Sequence, residues 1–209
     1  MTKEAIRHLT ACDQILGALI QQVGPCRLEC KARTPFQALV RAIVYQQLNG
    51  TAAAAILGRV KALFPGRRLP SPEQLLRMPE ARLRAAGLSR AKTAALKDLA
   101  AKAVAGIVPT TRVIRSMSNA EIVERLTTVR GVGPWTVEML LIFTLGRPDV
   151  LPVTDYGVRK GFALTYGWKD LPKPKELLAF GEKWQPHRTT AAWYFWRALE
   201  LPQHAKAKA

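Results

Sequence analysis

LTTVRGVGPWTVEMLLIFTLGRPDVLPVTD, residues Leu126 to Asp155, joins a tight glycine turn to a single acidic residue. The turn is Arg130-Gly131-Val132-Gly133-Pro134, set between two apolar segments with helical spacing. A Gly-x-Gly turn lets backbone amides approach a phosphate with no side chain in the way, and the helix that follows points its positive end at the anion. Asp155 follows an extended, proline-containing piece and opens another helical pattern. Position alone leaves two readings open: a helix cap whose carboxylate accepts backbone amides, or an acid placed to do chemistry.

Outward from this stretch, apolar residues recur at helical spacing and no segment alternates with period two, so the fold class is all-α. The expected helices are Ala5 to Gln22, Pro35 to Asn49, Thr51 to Phe64, Pro72 to Met78, Glu80 to Ala86, Arg90 to Ala105, Asn119 to Thr127, Trp135 to Leu145, Tyr156 to Tyr166, Pro174 to Phe180 and Thr189 to Leu201. Thr34-Pro35 and Ser71-Pro72 place a capping hydroxyl before a first-turn proline, and Gly66, Gly87, Gly106, Gly146 and Gly167 stand as stops. His204 to Ala209 reads as a basic, frayed tail. With no Ser/Gly-rich linker and no fixed-period repeat, the chain reads as a single domain of two interleaved helical lobes with a binding groove between them. One lobe is expected over roughly 36–165, the other from the N-terminal helix plus roughly 166–201.

The 209 residues carry 32 Lys and Arg against 15 Asp and Glu, a formal charge of +17. Such an excess favours a polyanionic partner through counterion release. No run of about 18 apolar residues and no signal peptide is present, which argues against a membrane and for a cytoplasmic protein. Cys12, Cys26 and Cys30 are too few for a four-thiolate iron-sulfur cluster, and His8, His187 and His204 are too scattered for zinc.

Leu126 to Glu138 resembles a helix-hairpin-helix motif. Adding Phe36 to Asn49 with its Tyr45-Gln46-Gln47-Leu48 end, Thr154-Asp155, and Trp184-Gln185-Pro186-His187-Arg188, the chain from about Thr34 to Leu201 resembles the DNA-3-methyladenine glycosylase II branch of the helix-hairpin-helix DNA glycosylase superfamily. The resemblance implies a monomeric, monofunctional DNA glycosylase of base excision repair, associated with the nucleoid. It would flip an alkylated purine such as 3-methyladenine out of double-stranded DNA and hydrolyse its N-glycosidic bond. Asp155 is then the catalytic carboxylate, stabilising positive charge on the deoxyribose and orienting the attacking water.

Trp135 stands where strand-cleaving members of that superfamily carry a lysine, and without the amine no Schiff base forms there. By the same resemblance Trp135 and Trp196 line the base pocket, joined by Met139 one helical turn beyond Trp135. Stacking on a cationic base would contribute about 0.5 to 2 kcal/mol. The plain alternative for these tryptophans, as for Trp184 and Trp193, is core packing. A wedge filling the hole left by the base is implied at Gln47 or Leu48, against the reading of Leu48 as core and Gln47 as a solvated helix end. Arg130, Gly131, Val132, Gly133 and Thr136 would contact the DNA backbone. The carbonyls of Thr127, Val129 and Gly131 would hold a sodium or potassium ion, with no other cofactor required. Arg188 is expected to brace the lobes or the helix after Asp155. Two rivals stay open: a non-catalytic helix-hairpin-helix DNA-binding protein, and a strand-cleaving glycosylase for oxidised bases.

Overall fold

The computed structural model describes residues 3–202, which form thirteen α-helices and no strand. In chain order these are α1 (Lys3–Cys12), α2 (Gln14–Val23), α3 (Pro35–Tyr45), α4 (Gly50–Ala62), α5 (Pro72–Arg77), α6 (Glu80–Ala85) and α7 (Arg90–Val104). They continue with α8 (Thr111–Ser116), α9 (Asn119–Thr127), α10 (Pro134–Phe143), α11 (Tyr156–Tyr166), α12 (Pro174–Phe180) and α13 (Arg188–Ala198). The basic tail from His204 lies outside the described residues.

Capping chemistry sets several of these boundaries. Thr34 and Ser71 each close a capping box, with Gln37 and Gln74, ahead of a first-turn proline. The single helix expected over Ala5 to Gln22 is instead two, because Asp13 takes an extended backbone and its carboxylate accepts the Leu16 amide. An aspartate competes with the helix ladder in this way wherever its side chain can cap. The helix expected to reach Asn49 stops at Tyr45, and Asn49 caps α4 instead. Helix α8 has no counterpart among the expected helices; the Thr110 side chain caps its start.

The chain divides into two compact units, one spanning Lys31–Leu140 and the other built from the segment up to Cys30 and the chain from Leu141 onward. The expected lobe boundary near 166 is thereby corrected to 140. Helix α11 belongs with α13, its main packing partner. Two glycines cause this. A Cβ on Gly161 would lie 1.9 Å from the Phe195 carbonyl oxygen, and one on Gly157 would lie 2.9 Å from Cδ1 of Trp196. Spaced four apart, they share a face of α11 and let the two helix backbones nearly touch.

The core of that unit is aromatic. Phe162, fully buried, has Tyr166, Trp168, Phe180, Trp184 and Phe195 around it at ring-centroid distances of 4.5 to 6.2 Å. Trp184 and Trp193 are core residues, as their plain reading held. At the edge of this core the buried Asp13 carboxylate accepts from the Tyr166 hydroxyl, the Trp184 indole and Lys183. Burial pushes its carboxyl up, but these bonds and the Leu16 amide outweigh that and hold it below its ordinary value.

In the Lys31–Leu140 unit, α7 packs against α3 and α5. Three of its lysines reach carbonyls at the C-terminal ends of other helices. Lys92 donates to Val44 and Gln46 at the end of α3, Lys97 to Leu76 and Met78 at α5, and Lys102 to Thr128 after α9. A cation at a helix C-terminus satisfies orphan carbonyls and opposes the helix dipole, each contributing about 0.3 to 1 kcal/mol. Part of the positive excess is therefore used inside the protein.

Candidate active site and nucleic-acid interface

The hairpin between α9 and α10 is built within one unit. Thr128 ends α9, the Val129 amide bonds to Leu126 and the Val132 amide to Val129, and Gly131 turns the chain at φ 76°. Only a residue without Cβ takes that conformation freely. Helix α10 then starts with the Thr136 and Val137 amides both on the Gly133 carbonyl. Among the described residues the amides of Gly131 and Gly133 take no protein acceptor, and a Cβ on Gly133 would meet open space. These two glycines are thus the ones that offer backbone donors at the start of a helix.

Other residues expected at the interface sit differently. Val132 and Thr136 are buried, and both their amides are used within the hairpin, so their side chains pack it from inside. The Arg130 side chain is exposed while its amide donates to Asp98 Oδ2 at 2.7 Å. Lys102 shares that oxygen at 2.8 Å. Burial alone would push the Asp98 carboxyl up; the Arg130 amide and Lys102 outweigh it and hold it below its ordinary value. Asp98 is thus a brace for the turn that the sequence reading missed. Its spacing to Lys102 is a visible helix pair, but nothing local indicates that the pair points at the hairpin.

The three carbonyls named for a monovalent cation can be tested against their partners. Val129 accepts the Val132 amide at 3.0 Å and Gly131 accepts the Gln46 side-chain amide at 2.8 Å. A carbonyl has two lone pairs, so an all-oxygen set of this kind still fits a hard cation. Among the described residues no three His, Cys, Asp or Glu are grouped as metal ligands. Trp135, 44% exposed, and the half-buried Met139 lie one turn apart on α10. Gln47 and Leu48 are both exposed, which removes the reading of Leu48 as core.

In the other unit Asp155 caps α11. Its Oδ1 accepts the Val158 amide at 2.8 Å and, at the same distance, the indole N–H of Trp196. The cap expected from its position is present. Gly157 makes it sterically open, since a Cβ there would lie 3.1 Å from Oδ1 as well as against the indole. The half-buried Trp196 ring stacks on Phe143, with centroids 5.6 Å apart. Trp196 therefore orients the carboxylate through its edge, a role that its sequence position does not reveal. Phe143, Trp193, Trp196 and Arg197 border an open cleft of about 600 Å³. Arg188 grips both oxygens of Asp149 through Nε and Nη2 of its guanidinium, at 2.7 and 2.8 Å, and Thr189 accepts the Val150 amide. It thus braces the loop that leads to Asp155.

Residues 40–187 match the family model described as HhH-GPD superfamily base excision DNA repair protein. DNA-3-methyladenine glycosylase 1 of Schizosaccharomyces pombe is 37% identical over 208 residues, which cover 99% of this chain and 91% of the relative. The solved structure of the Schizosaccharomyces pombe 3-methyladenine DNA glycosylase in complex with abasic DNA matches with a TM-score of 0.85, covering 96% of this chain and 98% of the other. A DNA-3-methyladenine glycosidase structure from Bacillus halodurans matches with a TM-score of 0.85 at 36% identity, covering 93% and 88%.

Proposed function

This chain belongs to the HhH-GPD superfamily of base excision DNA repair proteins, and from that premise we propose that it is a monofunctional DNA glycosylase hydrolysing the N-glycosidic bond of alkylated purines such as 3-methyladenine. The observation that carries the reading is the Asp155 carboxylate, pinned at the start of α11 by a backbone amide and the Trp196 indole. As the bond from C1′ to the ring nitrogen breaks, its electron pair leaves with the base and positive charge builds on the deoxyribose. A fixed carboxylate stabilises that charge without reorganising. Water then bonds to C1′ and gives up a proton toward the carboxylate. A base already cationic through alkylation leaves neutral, with little need for a general acid.

The protein acts as a monomer on double-stranded DNA holding a damaged base. The amides of Gly131 and Gly133 face a backbone phosphate, with the exposed Arg130 guanidinium adding a contact. A sodium or potassium ion on the carbonyls of Thr127, Val129 and Gly131 would supply positive charge toward that phosphate. Trp135 offers a ring for stacking on the base, and as it is not a lysine the abasic product stays uncleaved.

Asp155→Asn keeps the cap and the side-chain shape. It should bind DNA as the wild type does and lose base release from methylated DNA by about 100-fold or more. Unchanged release would leave only a DNA-binding protein. Borohydride should trap no covalent protein-DNA adduct, and an adduct would contradict the role given to Trp135.

A further inference from the structure

The loop after α3 holds a non-glycine residue in a conformation that its own sequence does not favour. The Leu48 amide bonds to the Tyr45 carbonyl at 3.3 Å, closing a turn whose central residues are Gln46, at φ −52° and ψ 134°, and Gln47, at φ 56°. This is the pattern of a type II turn, whose second central position is normally glycine or asparagine. A glutamine persists there only when the surroundings over-determine it, and such strain collects at functional sites.

Three contacts from the same unit do so. Lys92 Nζ, on α7, donates to the Val44 carbonyl at 2.8 Å and to the Gln46 carbonyl at 2.7 Å. The Gln46 side-chain amide donates to the Gly131 carbonyl at 2.8 Å, inside the hairpin itself. Burial lowers the pKa of the Lys92 ammonium. The turn that presents Gln47 and Leu48 is thereby tied to the turn that presents the Gly131 and Gly133 amides.

We propose that Lys92 and Gln46 are positioning residues that hold the Gln47-Leu48 wedge in its strained turn and in fixed register with the phosphate-gripping hairpin. The inference rests on reading the chain as a base-flipping glycosylase. With the two turns locked together, a gripped phosphate sets where the wedge enters the stack. The register then matters for extracting a paired base and little for hydrolysing one already extruded.

The test is single-turnover release of one alkylated purine from two DNA substrates, one with the base paired in a duplex and one with it in an unpaired bulge. Lys92→Met should slow release from the paired site by about 10- to 100-fold, the scale of an ångström-level misplacement, with a much smaller loss on the bulge. Gln46→Met should shift the ratio of the two rates in the same direction. Lys97→Met removes the same kind of lysine-to-carbonyl bond from the same helix, away from the wedge, and should keep the wild-type ratio. An unchanged ratio in both Lys92→Met and Gln46→Met, or an equal shift in Lys97→Met, overturns the proposal. Wild-type protein releasing the base from neither substrate would instead overturn the glycosylase reading on which it stands.

Discussion

Replacing Trp196 by phenylalanine isolates one bond. Phenylalanine keeps an aromatic ring for the stack on Phe143 but has no N–H to give to Asp155 Oδ1, so a 2.8 Å hydrogen bond to a carboxylate is lost while the Val158 amide remains. Hydrogen bonds to charged groups contribute about 1.5 to 3 kcal/mol. If that bond fixes the carboxylate for the transition state, the loss appears in the barrier, where each 1.36 kcal/mol is about tenfold in rate. Trp196→Phe should therefore slow single-turnover release of an alkylated purine by about 10- to 100-fold, with DNA binding retained. The sharper readout is the cycle with Asp155→Asn. A residue acting only through Asp155 should have almost no further effect once the carboxylate is gone. A full Trp196→Phe loss in the Asp155→Asn background would refute the reasoning, because Trp196 would then act on the base independently. So would a Trp196→Phe rate close to wild type.

Two further outcomes follow from the same unit. Gly161→Ala should gain about 1 kcal/mol in helix propensity, yet its Cβ would overlap the Phe195 carbonyl at 1.9 Å, where only backbone could yield. A net destabilisation of about 2 kcal/mol or more is expected in urea denaturation; a stabilised variant would show that α11 and α13 do not approach as closely as they do here. Asp13 has a folded pKa below the ordinary carboxylate value of 3.8, so its contribution to stability is present above that value and is lost as pH falls through the folded pKa. The melting temperature of wild type should thus fall more steeply than that of Asp13→Asn from about pH 5 downward, and parallel acid limbs would contradict the network around Asp13.

Much of the local structure was legible because its signals are local. The runs Asn119 to Thr127, Tyr156 to Tyr166 and Pro174 to Phe180 match α9, α11 and α12 to the residue, and the capping boxes at Thr34 and Ser71 form as their spacing implies. Asp13 defeated the reading because a helical apolar pattern runs on through it, while its side chain found the Leu16 amide, Tyr166 and Trp184. Thr136 and Val132 fit the motif by position, but the hairpin turns both inward.

By itself the sequence determined that the chain is helical, that a Gly-Val-Gly turn precedes α10, that tryptophan rather than lysine follows it, and that Asp155 opens α11. Each is a property of a few consecutive residues, set by backbone sterics, capping and side-chain chemistry. The tertiary structure decided which unit α11 joins, that Trp196 and Val158 share one oxygen of Asp155, and that Lys92 and Gln46 tie the wedge turn to the hairpin. Those contacts span 41, 46 and 85 positions of sequence. Bonds of that separation depend on packing such as the contact of Gly161 with Phe195, which no window of neighbouring residues encodes.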